Sequence, residues 1–244
     1  MKNITTLLLL FLCASLSLAQ QVEKNYPLAN TEKLSLKFEY PELVKVSTWD
    51  KQEVQIVAKV LINGQDGSED FVLSPTRNSG QLTISSELKN LDSYKQNYVS
   101  VQSDSDENES IIVSRDGSTY KIGKGSKTYY NGTEIEVLLE VFLPENALVE
   151  IDAKYGMVEV LSAPKQLNVY AKYGGADIMI KESALKNLYA STSWGQIFSN
   201  LSSKVSVAGD DMLGKSLVAE IDNGSGVNSV KVQSEYGNVF LRKN

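Results

Sequence analysis

Four times in the last hundred residues, alternating apolar positions lead into an aromatic and a glycine and then resume. The copies centre on Tyr155-Gly156, Tyr173-Gly174, Trp194-Gly195 and Tyr236-Gly237, with an Asn223-Gly224 variant between the last two. Such self-similarity marks units that cannot bury their apolar faces alone and must stack on one another. With the aromatic as origin, the residues six, four and two places earlier are Val149, Ile151 and Ala153 in the first copy, and Leu167, Val169 and Ala171 in the second. In the third they are Leu188, Ala190 and Thr192, and in the fourth Val230, Val232 and Ser234. Three and five places after it sit Val158 and Val160, Ala176 and Ile178, Ile197 and Ser199, and Val239 and Leu241. Period two is a strand's period, so each copy reads as two short strands joined at the glycine.

Two architectures fit. In an antiparallel β meander the aromatic-Gly pair is a hairpin loop and Ile151 faces Val160. In a parallel β-solenoid the pair is a corner and Ile151 lies beside Val169. Tight hairpins need φ > 0 at the first loop residue, which penalises Tyr and Trp, whereas an aromatic followed by Gly suits a type II corner. The expected fold is therefore all-β, a parallel β-solenoid (β-helix or β-roll) over 144–244 with an irregular, strand-rich part before it. The meander is the alternative. The spacing breaks around Asn223-Gly224, the one copy whose chemistry suits a true hairpin.

Lys2 followed by the apolar run Leu7–Leu12, closing in Ser17-Leu18-Ala19, has the layout of a secretory signal peptide over 1–19. The run is too short to span a bilayer. Cys13 lies inside it and follows Leu12, not the small residue a lipoprotein site uses. Export to the periplasm, the cell surface or the medium is expected, with a chain that does not span the membrane. Residues 20–143 read as a β-rich region carrying a mobile acidic loop at about 86–110, which ends in Asp104–Glu109.

Composition removes whole classes of chemistry. There is no histidine, and the only cysteine leaves with the leader, so imidazole or thiolate metal sites, disulfides and His-dependent nucleophile systems are excluded. Net charge is −6, with no basic cluster, which argues against nucleic acid as a partner. Gly123–Thr128 superficially matches a phosphate loop, but Ser126 replaces the required glycine and no helix pattern follows. The Asp104–Glu109 run lacks the spacing of a calcium hand. No cofactor and no metal is expected.

Candidate binding residues come from the outward positions. Tyr170, Tyr189, Phe198 and Phe240, with Met179, alternate away from the core, and aromatic surfaces of this kind suit sugars or partner proteins unless a second layer covers them. Glu159 and Asp177 fall on equivalent outward positions. Stacking would place them on adjacent strands about 4.8 Å apart, a spacing compatible with a retaining glycosidase. The Val46–Val54 segment, the Leu143-Pro144-Glu145-Asn146-Ala147 stretch, the leader and the Tyr-Gly repeats together resemble the β-strand-repeat "putative adhesin" proteins of the bacterial envelope. That resemblance implies a right-handed parallel β-solenoid and supplies no functional residues. The expectation is a non-enzymatic, exported scaffold presenting a surface for adhesion or for glycan or protein binding. The alternatives are a carbohydrate-active enzyme using Glu159 and Asp177, and a structural or sensing envelope component.

Overall fold

The computed structural model describes residues 21–94, 96–97, 99–101, 110–113, 119–122, 131–203, 206–208, 217–221 and 226–244. The leader, Asp104–Glu109, Gly123–Thr128 and Asn223-Gly224 lie outside the described residues. The strands of the first half are β1 (Gln21–Pro27), β2 (Lys33–Phe38), β3 (Leu43–Trp49), β4 (Glu53–Ile62), β5 (Gln65–Asp66), β6 (Phe71–Asn78), β7 (Gln81–Leu88), β8 (Gln96–Asn97), β9 (Val99–Val101), β10 (Ser110–Val113), β11 (Thr119–Ile122), β12 (Asn131–Gly132) and β13 (Ile135–Pro144). Those of the second half are β14 (Leu148–Ala153), β15 (Met157–Val160), β16 (Gln166–Ala171), β17 (Ala176–Ile180), β18 (Leu185–Thr192), β19 (Ile197–Ser199), β20 (Ser206–Ala208), β21 (Leu217–Ile221), β22 (Asn228–Ser234) and β23 (Val239–Lys243).

Two mixed sheets carry the fold. One runs β20-β21-β18-β22-β16-β14-β2-β7-β6 and the other β1-β4-β13-β3-β15-β17-β23-β19, with β5 on the flank of β4. Each repeat gives its first strand to the former sheet and its second to the latter. Ile151 lies beside Val169 and Val158 beside Ala176, in parallel register. This is the pairing that separates stacked units from hairpins, and the meander alternative is overturned by it. The sheets are not parallel throughout, however: β1–β4, β4–β13, β6–β7, β18–β21 and β20–β21 pair antiparallel.

Why the sequence does this is visible in burial. Val149, Ile151, Ala153, Val158, Val160, Leu167, Val169, Ala171, Ala176 and Ile178 are all buried, as are Val239 and Leu241 on the last strand. The two sheets face one another across one contiguous cluster that also takes in Leu34, Leu36, Val44, Val46, Ile56, Leu82 and Leu139. β1 to β7 and β13 therefore extend the same two sheets rather than lying over the repeats' outer faces as a second layer, while β9–β11 and the β8/β12 pair form two small sheets of their own. Within the expected acidic loop, β7 runs on to Leu88 and Leu91–Tyr94 forms a 3-10 turn. Tyr94 anchors that turn, donating its hydroxyl to Asp70 at 2.5 Å.

The order of the stack departs from the order of the chain. The unit formed by β22 and β23 slots between β16/β17 and β18/β19, so the last unit in sequence is the penultimate one in space. Leu241, in the last unit of the chain, lies between Ile178 and Ser199 rather than on an open final turn. The outermost strand of its sheet is the three-residue β19, and the apolar pattern fails there: Ile197 is only half-buried and Ser199 is exposed.

Candidate functional site

At one corner of the stack the aromatics form a ladder. Tyr40, Tyr155, Tyr173 and Tyr236 stack with ring centroids 5.9, 5.1 and 5.3 Å apart. Tyr40 is a rung that the repeat pattern did not single out. Its flanking alternation, Leu34, Leu36 and Phe38 before and Val44 and Val46 after, is in register with Val149 through Val160, but its corner has one more residue and Pro41 in place of glycine. Trp194 does not join the ladder. No described ring stacks on it, and it is 63% exposed.

The glycines answer to crowding more than to torsion. Gly156 alone among the corner glycines has positive φ, at 75°. At Gly174 a Cβ would land on the Gly156 carbonyl, at Gly237 on the Gly174 carbonyl, and at Gly195 on the Gly237 carbonyl. The type II corner expected from the sequence holds for its torsional reason only at Gly156. Two inward hydroxyls reinforce the corner. Ser234 donates to the Gly174 carbonyl at 2.9 Å and accepts from the Gly237 amide at 2.8 Å. Thr192 donates to the Gly237 carbonyl at 2.8 Å and accepts from the Gly195 amide at 3.0 Å.

The outward candidates divide between two opposite faces. On the β16–β22–β18 face, Tyr170 and Tyr189 line one groove of about 390 Å³ together with Ser191, Trp194, Gln233 and Glu235. The Tyr170 hydroxyl donates to Glu235 at 3.1 Å. Partial burial first, and then this bond to a carboxylate, raise the Tyr170 phenol above its ordinary value. The charge of Glu235 likewise raises Tyr236. Lys231 sits 5.5 Å from the Tyr189 ring centroid. Trp194, Gln233 and Glu235 were not among the sequence candidates. Trp194 had been read only as a corner residue, and Glu235 comes beside Tyr170 through the pairing of distant strands.

On the β15–β17–β23–β19 face, Phe198 and Phe240 stack at 5.1 Å, with Phe198 exposed and Phe240 half-buried. Glu159 and Asp177 are register partners, as expected. Arg242 reaches both, at 3.5 Å from Glu159 and 2.5 Å from Asp177. The guanidinium offsets the repulsion of like charges on neighbouring strands. Met179 falls elsewhere again, lining a groove of about 540 Å³ at the corner opposite the ladder, with Thr48, Ser162, Lys165 and Lys181. The sequence candidates thus make no single site: Tyr170 and Tyr189 share a groove on one face, while Phe198, Phe240, Glu159 and Asp177 share the other. Among the described residues no group of three or more acidic side chains is placed to hold a metal ion, and no helix is long and apolar enough to cross a membrane.

No family profile and no curated protein matches the chain. Two solved structures are similar in outline. A "putative cell adhesion protein" from Clostridium sporogenes is 12% identical with a TM-score of 0.48, covering 92% of this chain and 99% of that one. A "putative adhesin" from Bacteroides fragilis is 11% identical with a TM-score of 0.28, covering 92% and 97%. Likeness at this level carries no argument about function, which rests on the geometry above.

Proposed function

We propose that this chain is an exported, non-enzymatic β-solenoid that displays a binding surface for a glycan or a surface protein at the bacterial cell envelope. The observation that carries this reading is the exposure of Tyr170 and Phe198 on outward positions, and of Trp194 at a corner, of a body whose inward positions are consumed by core. Large apolar rings left in water reduce solubility and mark interaction surfaces when they recur on one molecule. Parallel coils locked by main-chain hydrogen bonds and a shared core make a stiff support, so a partner meets side chains that are already positioned. Glu159 and Asp177 are held by Arg242, which gives them a part in the stack without chemistry.

The test has two arms. Mass spectrometry of protein recovered from a fractionated host reads export directly, with a mature amino terminus near Gln20 expected. The purified mature protein is then applied to a glycan array and used as bait against solubilised envelope proteins. Saturable binding in either format is expected, and its absence in both removes the display role.

A further inference from the structure

The groove between Tyr170, Tyr189 and Trp194 differs from the other exposed aromatic surfaces in one respect: it holds a largely exposed ring on which no described ring stacks. In the ladder each ring covers its neighbour, and Phe198 and Phe240 cover one another. Trp194 has no such partner among the described residues. Its neighbours in the groove are the Gln233 amide, the Glu235 carboxylate and the Ser191 hydroxyl. At about 390 Å³ the groove sits at the small end of the roughly 300–1,000 Å³ that small-ligand sites occupy.

Resting on the display reading above, we propose that this groove is a saccharide subsite for an uncharged, hydroxyl-rich sugar ring, with Trp194 as the platform and Glu235 and Gln233 receiving the hydroxyls. A pyranose has an apolar C–H face that stacks on an aromatic and a rim of hydroxyls that a carboxylate and an amide bind with direction. A peptide is a poorer fit. The groove lies on a sheet face, where the main-chain groups of β16, β22 and β18 are already paired with one another, so an extended chain finds no strand to add to. The carboxylate of Glu235 within the lining disfavours an anionic ligand.

Trp194 is also the natural reporter, since the chain has only one other tryptophan, Trp49, which stacks on Phe142 at 5.4 Å. The mature protein carrying Trp49→Phe is titrated with cellotetraose, maltotetraose and chitotetraose while indole emission and acrylamide quenching are followed, with calorimetry of the unmodified mature protein in parallel. At least one probe is expected to shift the emission and shield the indole. Trp194→Ala and Glu235→Ala should each weaken that probe on the order of tenfold, whereas Phe198→Ala, on the opposite face, leaves it unchanged. Failure of all three probes to bind overturns the proposal, as does full affinity in Trp194→Ala. If envelope protein is still captured, and equally well by Trp194→Ala, the saccharide subsite falls while the display role stands. Loss of every kind of binding removes both.

Discussion

Gly174 shows how a single side chain's absence shapes the repeat. Its φ is ordinary, yet the carbonyl of Gly156 in the neighbouring repeat occupies the place of a Cβ. Gly174→Ala is expected to cost about 3 kcal/mol, read as a lower urea midpoint, because backbone on both sides would have to move. Gly80 makes the contrast, with open space around it and φ of 78°, so Gly80→Ala should cost only about 1 kcal/mol through torsion. Arg242 is the second informative residue. Removing it in Arg242→Ala leaves Glu159 and Asp177 as uncompensated register partners. All three side chains are partly exposed, so the loss should stay at about 1 kcal/mol or below and shrink as salt is added. Denaturation at two ionic strengths reads both effects. The alternation made the carboxylate pair legible in the sequence. Their shared cation was not, because Arg242 is more than sixty residues from Asp177 in the chain.

At the scale of elements, the insertion of β22/β23 between β16/β17 and β18/β19 has a direct consequence. In a stack built in chain order, the last unit is a cap whose loss exposes one edge. Here, removing 226–244 separates the units on either side and leaves the paired edges of β16, β17, β18 and β19 open at once. That truncation is expected to abolish cooperative unfolding by circular dichroism and to drive self-association in size-exclusion chromatography. Glu182 pins the same region. It accepts from the Ser203 amide at 2.6 Å and pairs with Lys243 of β23 at 3.4 Å. Chiefly through the Ser203 amide, these contacts hold its carboxyl at about 2, below the ordinary 4.5. A depressed folded-state value means that the contribution is complete above about pH 4.5 and is lost as pH falls towards 2. Glu182→Gln should therefore lose less stability than wild type between pH 5 and pH 3, measured by urea midpoints at the two values. A hint of the insertion lay in the sequence. Spacing breaks around Asn223-Gly224, and the two copies with an inward hydroxyl, Thr192 and Ser234, turn out to be register partners. Neither sign specifies the pairing by itself, since every apolar unit offers a similar face to every other.

Across the whole molecule, one core runs through both sheets from Leu28 to Leu241. β2 and β3 pair with β14 and β15 as closely as the repeats pair among themselves. Stability in such a stack is a sum of units and nearest-neighbour interfaces. A fragment of residues 144–244 expressed alone would lose the partner of its first unit, and is expected to show a lower melting temperature than the full mature chain or to aggregate. Calorimetry of the two proteins at equal concentration distinguishes this from an independent repeat unit, whose melting temperature would be unchanged.

By itself the sequence determined that the chain is all-β, which face of the repeat strands is apolar and where the aromatic-Gly corners fall. Those properties are local: a period of two and a glycine are written within a dozen residues. Tertiary structure decided which units become neighbours, that Tyr40 starts the ladder while Trp194 stands outside it, and that Glu235 meets Tyr170 in a groove. Such pairings join strands more than a hundred residues apart, and equivalent apolar faces do not choose among partners; the lengths of the connections and the fit of glycine against carbonyl do.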